Sequence, residues 1–278
     1  MKQLFDRVSA TCSRAITRAY STSFSLGIHF LDKKLHEPIY AIYGFVRLAD
    51  EIVDSFHQFD KRELLTDFRK ETFKAIAVGL SLNPVLNSFQ RAVNRYGIDL
   101  QVIEIFLDSM EMDLTRNSHD VQSLKKYIRG SAEVVGLMCL RVFCDGDERR
   151  YRMLKEPAMR LGSAFQKVNF LRDLHADFHN LERSYFPTLE VGSFTDENKN
   201  EIEADIKDDF CAALEGIKRL PAGARFGVYV AYVYYRTLLR KIEATSGESL
   251  LQHRLRLPNH HKFALLLRSY LQYNLGLL

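Results

Sequence analysis

Apolar residues recur along this chain at helical intervals. Between residues 39 and 56 they fall at Ile42, Phe45, Val46, Ala49, Ile52 and Val53. That i, i+3, i+4 spacing lines one face of an α-helix. Similar stretches predict helices over roughly 61–78, 84–96, 99–116, 121–144, 157–181, 199–219, 223–246 and 259–275. Alternating runs that would mark strands are short and scarce. Asn83-Pro84 reads as an N-cap followed by proline in the first turn. Pro38, Pro157, Pro221 and Pro258 also sit near predicted helix starts, and Pro187 falls in an aromatic loop. No proline interrupts a strongly periodic stretch. Residues 193–200 are the best loop candidate, and there is no repeat or linker. About nine or ten helices in one all-α domain over residues 1–278 is the expected organisation.

Two polar clusters interrupt the apolar pattern. The first is Arg47-Leu48-Ala49-Asp50-Glu51-Ile52-Val53-Asp54; with Tyr43, its Arg47, Asp50 and Asp54 project from one helix face. The second is Gln166-x-x-Asn169-x-x-Arg172-Asp173-x-x-x-Asp177, whose two amides and two carboxylates share a stripe. Each admits a plain alternative: a surface ion pair between Arg47 and an aspartate, and a solvent-facing polar stripe. Two carboxylate faces opposed across a bundle would instead form a cage of hard oxygens. Such a cage suits magnesium bridging to phosphate.

A third DxxxD, Asp205-x-x-x-Asp209, is charged on several sides and lacks an in-register arginine or amide. It reads as a solvated helix face. Di-iron and di-manganese bundles use Glu-x-x-His pairs. No ExxH occurs here, and His175 falls on the side away from Asp173 and Asp177. Tyr20-Ser21-Thr22-Ser23-Phe24 could donate to phosphate oxygens or form an ordinary helix cap. Tyr229, Tyr232, Tyr234 and Tyr235 suit core packing, or a wall facing a cation.

Bulk properties narrow the classes further. A net charge of +4 makes no case for nucleic acid; it is compatible with anionic substrates or weak attraction to a membrane surface. Cys12, Cys139, Cys144 and Cys211 show no CxxC spacing and read as reduced thiols. No apolar run is long enough to span a bilayer, and the opening Met-Lys-Gln-Leu-Phe-Asp-Arg lacks a secretion signal's apolar stretch. A cytoplasmic protein, with peripheral membrane contact left open, is expected.

Taken together, these segments resemble the squalene/phytoene synthase family of head-to-head prenyl synthases. Ser21-Thr22-Ser23-Phe24 and the stretch from Ala41 through Arg47 to Asp54 resemble its opening motifs, and the Gln166 to Asp177 stripe resembles its second aspartate motif. Glu182-Arg183-Ser184-Tyr185-Phe186-Pro187 resembles an aromatic–proline signature, and Tyr235-Arg236-x-Leu238-Leu239-x-x-Ile242-Glu243 with Arg254 a C-terminal one. The likeness covers roughly residues 15–265. It departs between Tyr127 and Gly136, where Ser131 and Glu133 replace small or apolar residues. A carboxylate at Glu133 near an apolar tunnel would be costly unless paired.

The resemblance implies an all-α isoprenoid synthase bundle with a central cavity for two allylic diphosphates. It implies that Asp50, Asp54, Asn169, Asp173 and Asp177 hold magnesium, or manganese, against the diphosphates. Arg47, Arg172, Arg254, Ser21, Ser23 and Gln166 would bind phosphate oxygens, and Tyr43, Tyr127, Tyr235 and Phe24 would line the path of a carbocation. The implied reaction joins two geranylgeranyl diphosphates through a cyclopropyl intermediate to phytoene. The alternatives are squalene or dehydrosqualene formation from farnesyl diphosphate, and a non-catalytic assembly factor that has kept the fold.

Overall fold

The computed structural model describes residues 1–115, 118–180, 185–186, 194–253, 255 and 258–275. The described residues form helices in the order α1 (Lys2–Tyr20), α2 (Thr22–His29), α3 (Lys33–Asp54), α4 (Lys61–Val78), α5 (Pro84–Tyr96) and α6 (Leu100–Asp113). They continue with α7 (Val121–Ile128), a π-helical turn (Arg129–Glu133), α8 (Val134–Cys144), α9 (Glu148–Asn180), α10 (Asp196–Arg219), α11 (Ala222–Glu243), α12 (Gly247–Gln252) and α13 (Asn259–Asn274). No strand occurs among the described residues.

Helix starts follow from side chains that satisfy the first free amides. Asp60 accepts from the Glu63 amide, Asn83 from Val85 and Leu86, Asp99 from Gln101, Asp120 from Ser123, and Thr195 from Asn198. Each such cap contributes about 1 kcal/mol. α4 and α5 stop at Gly79 (φ 76°) and Gly97 (φ 62°), left-handed positions that glycine takes without strain.

Four expectations need correction. Pro157 does not open a helix: α9 begins at Glu148, and Pro157 lies inside it, as Pro38 lies inside α3. The 121–144 stretch is not one regular helix, since the π turn separates α7 from α8. The predicted loop at 193–200 has already entered α10 by Asp196. Asp205 and Asp209 are not a solvated pair. Asp209 is fully buried, accepts from Ser163 Oγ at 2.7 Å, and pairs with Arg160 and Lys167 at 2.7 and 2.8 Å. Its partners all come from α9, so no pattern within its own helix could announce them.

Two apolar cores form. One is built around Phe45, Phe89 and Phe106, where Phe45 stacks on Phe89 with centroids 3.9 Å apart. The other is built around Leu171, Phe210 and Leu238. Phe143 and Val228 pack against both.

α9 is seated by backbone-close contacts. A Cβ on Gly162 would lie 2.6 Å from the Ala132 carbonyl oxygen in the π turn, and one on Gly136 would lie 2.9 Å from the Ala158 carbonyl. Only glycine permits this approach. Gly162→Ala must therefore separate α9 from the π turn, and we expect a loss of about 1–3 kcal/mol of stability, read as a lower urea midpoint.

Candidate active site

The cavity lies between the two cores and measures about 890 Å³. Its walls come from α1, α2, α3, α6, α7, the π turn, α8, α9, α10 and α11. Ile39 and Ile42 reach it from one core, Leu140 and Leu154 from the other, and Phe143 and Val228 bridge them. Polar groups gather on part of the lining: Arg47 and Asp50 from α3, and Gln166, Asn169, Arg172 and Asp173 from α9. The two sequence clusters thus meet across one apolar space. Asp54, one turn beyond Asp50, is half-buried and does not line it. Arg254 and the side chains of Ser23 and Asp177 lie outside the described residues.

On α3, burial and the neighbouring carboxylates act together. Asp50 is held among apolar walls, with a side-chain exposure of 31 % that belongs to a residue lining the cavity. Burial pushes its carboxyl up to about 7; Arg47 opposes this, while Asp54 and Glu51 reinforce it. Arg47 pairs closely with Glu51 and lies 3.9 Å from Asp50. Its guanidinium also sits 4.3 Å from the Tyr20 ring centroid. Burial disfavours its charge, but the Glu51 hydrogen bond and the Asp50 charge outweigh that and raise its pKa. The Arg47 Nε is buried without a hydrogen-bond acceptor among the described residues. A buried donor left this way is unusual and suits an incoming anion.

On α9, Arg172 grips Asp173 with two parallel hydrogen bonds, Nε to Oδ1 at 3.0 Å and Nη2 to Oδ2. Burial works against the Arg172 charge, yet Asp173 more than compensates and raises the pKa. Asn169 Oδ1 accepts from the Tyr235 hydroxyl at 3.2 Å. Gln166 Nε2 donates to Ser131 Oγ at 3.3 Å, and Ser131 Oγ in turn donates to the Tyr127 carbonyl. Ser131 therefore orients a site amide. Glu133 does not line the cavity; burial, then Asp209, raises its pKa, while Arg129 and Lys167 lower it.

Aromatic groups occupy the adjoining wall. Tyr43 meets Phe24 at 4.8 Å and hydrogen-bonds Ser21. Tyr235 stacks on Phe165 at 4.0 Å. Tyr127 lines the cavity and its hydroxyl donates to buried Asp113 at 2.8 Å. Ser21 caps α2 by accepting from the Phe24 amide, so the cap reading of that hydroxyl segment holds. His175 hydrogen-bonds the Leu251 carbonyl at 2.8 Å, away from the cavity.

Sequence reading missed Glu51, Tyr20 and Ser131 as supporting groups. Glu51 stood inside the first motif, four residues after Arg47, and that spacing could have marked the pair. Ser131 stood out only as a departure from a family pattern.

Oxygen donors dominate the polar lining, which fits a hard divalent cation. Among the described residues no three acids, histidines or cysteines gather closely enough to enclose a metal. A magnesium ion here would need substrate oxygens to complete its shell, as is usual for that ion.

Asp50 also predicts a dependence of stability on pH. Its folded-state value of about 7 exceeds the ordinary 3.8. As pH rises from the lower value to the higher, the unfolded chain ionises while the folded one keeps its proton. Ionisation of Asp50 therefore costs stability, fully so above the higher value. Asp50→Asn should melt at a higher temperature than wild type near about pH 8. The difference should vanish near about pH 4; a constant difference in scanning calorimetry would contradict the burial effect.

Comparison with known proteins supports a common origin for this architecture. A family model described as squalene/phytoene synthase matches residues 17–261. Phytoene synthase of Arthrospira platensis is 28% identical over 260 residues, covering 83% of this chain and 82% of the relative. Phytoene synthase 1, chloroplastic, of Arabidopsis thaliana is 26% identical over 262 residues, covering 87% of this chain; the chain spans only 60% of that relative's length. Among solved structures, a dehydrosqualene synthase in complex with ligand superposes with a TM-score of 0.79 at 19% identity, covering 97% of this chain and 98% of the other. Squalene synthase HpnC from Alicyclobacillus acidocaldarius gives 0.74 at 18% identity, covering 86% and 94%. With its helical isoprenoid synthase fold and a match that takes in both aspartate-bearing helices, this chain belongs to the squalene/phytoene synthase family, whose members are prenyltransferases.

Proposed function

We propose that the chain condenses two molecules of geranylgeranyl diphosphate head to head, through a cyclopropyl diphosphate, to phytoene with release of diphosphate. The observation that carries this reading is that Asp50 and Asp173, from two different helices, line one large cavity whose remaining lining is partly apolar. The matching relatives named phytoene synthase favour the longer substrate.

Bound magnesium, or manganese, would supply Lewis-acid neutralisation of the leaving diphosphate. Asp50, Asn169 and Asp173, all on the cavity lining, would hold it, and Asp54 and Asp177 lie one turn further along their helices. Arg47 and Arg172 then bear on the diphosphate oxygens. Both are occupied by neighbouring carboxylates, Arg47 by Glu51 and Arg172 by Asp173. A cation held by Asp173 would loosen the bidentate hold on Arg172 and free the fork for phosphate. Gln166, steadied by Ser131, adds an amide to the same group.

The aromatic wall serves the other half of the chemistry. Ring faces of Tyr43, Phe24, Tyr127 and Tyr235 present negative quadrupole to an allylic cation. The apolar remainder excludes water that would trap it. Tyr43 and Tyr235 stay neutral because burial raises both phenols. No side chain need act as a nucleophile: the second substrate's double bond attacks.

The first test is incubation of the purified protein with geranylgeranyl diphosphate and magnesium, without nicotinamide. A C40 hydrocarbon of phytoene mass is the expected product. A C30 product formed only from farnesyl diphosphate would move the assignment to the shorter-chain branch, and silence with both would favour a non-catalytic role.

Asp173→Asn should lower turnover by about 100-fold or more, the scale on which loss of one electrostatic contact to a reacting group registers. Its circular dichroism should match wild type. Normal turnover in that variant would remove α9 from the mechanism.

A further inference from the structure

α11 has a second polar face, turned away from the cavity. Gly227, Val228, Ala231, Tyr234 and Tyr235 line the cavity. Tyr229, Tyr232, Arg236 and Arg240 lie on the other side of the helix. With Arg268 and Gln272 of α13 they enclose a separate pocket of about 220 Å³.

Three arginines therefore line one small space. Arg236 is half-buried and contacts the Phe210 ring at 5.8 Å, while Arg240 and Arg268 are exposed. Among the described residues none of the three forms an ion pair with a carboxylate, in contrast to Arg47, Arg160 and Arg172. Arg236 and Arg240 are four apart on one helix, a like-charge spacing that destabilises a helix. Their charges reach the pocket walls. Burial raises the Tyr229 and Tyr232 phenols, and the arginines oppose it, Arg268 at Tyr229, Arg236 and Arg240 at Tyr232.

The neutral polar groups are arranged to donate as well. The Tyr229 hydroxyl donates to Gln272 Oε1 at 3.2 Å, which leaves the amide Nε2 as the donor end of that side chain. Three arginines and an amide lining a pocket with no carboxylate among its described residues match the planar, multi-oxygen surface of a phosphoryl group.

We propose that this pocket binds a phosphate or diphosphate group at a site separate from the reaction cavity. Bound anion would relieve the repulsion between α11 and α13 and tie the two helices together. The group could be free in solution or carried on a lipid. α13 itself exposes Leu267, Tyr270 and Leu271 beside its pocket residues. The site does not depend on the reaction assigned to the cavity, and its test reads binding, not turnover.

Calorimetric titration of the full chain with inorganic diphosphate, in the absence of magnesium, tests the free source. Wild type and Arg172→Gln should show the same saturable event. The double variant Arg236→Gln/Arg268→Gln should bind about 100-fold more weakly, roughly tenfold per lost charged contact. Without ligand, that variant should melt at or above the wild-type temperature, because it loses repulsion and no ion pair; its ligand-induced shift should disappear. A matched arm measures co-sedimentation with phosphatidylcholine vesicles containing phosphatidic acid. Arginine-dependent binding to vesicles alone would identify a lipid-borne phosphate and still support the site. Equal binding by wild type and the double variant in both arms, no binding in either, or loss of diphosphate binding only in Arg172→Gln would overturn it. Arg240→Gln, a single exposed change, repeats the measurement should the double variant misfold.

Discussion

Everything in the site depends on how α9 is clamped. On one side Gly136 and Gly162 let its backbone touch the π turn and α8 at distances no Cβ would tolerate. On another, buried Asp209 of α10 holds Arg160, Ser163 and Lys167. A long helix fixed at two faces has little freedom to rotate about its axis. Gln166, Asn169, Arg172 and Asp173 are therefore delivered to the cavity, and His175 to the α12 side. Burying Asp209 would be costly alone. Three partners make it a rotational lock, and a cation-bearing face of α9 becomes the counterweight to its carboxylate-bearing one.

The site itself is a set of charges that satisfy one another until substrate comes. Arg47 rests on Glu51 and Arg172 on Asp173, so each of these arginines has a carboxylate partner, while the buried Arg47 Nε has no acceptor among the described residues. Asp50 stands apart: burial first, and then the nearby Asp54 and Glu51, let it keep its proton unusually well. Both effects favour whatever brings positive charge. Stability and function pull apart at this residue, as they commonly do where a site must be ready before its ligand arrives.

Most of the helical plan was legible. The bounds of α4 and α5 coincide with the periodic stretches at 61–78 and 84–96 because strong caps stand at their starts and glycines at their ends. The first two helices escaped notice: α1 buries Ser9, Ser13 and Thr17, small polar residues that carry no hydrophobic signal. The π turn was hidden inside a continuous pattern, since one inserted residue shifts a helical face without breaking its composition. The stripes Arg47–Asp50 and Gln166–Asn169–Arg172–Asp173 were legible within their own helices, while their meeting on one cavity was implied only by the family resemblance.

By itself, the sequence determined that this protein is helical, that two of its helices carry oxygen-rich stripes, and which family those stripes resemble; helix periodicity is local, and so it survives in one dimension. Tertiary structure alone decided which charges are buried, which pair, and how large a space they share. Asp205 and Asp209 show why. They are the same residue type one turn apart, yet one is exposed and the other sealed among three side chains of α9. Burial is set by what another helix brings, and no spacing within a helix contains that.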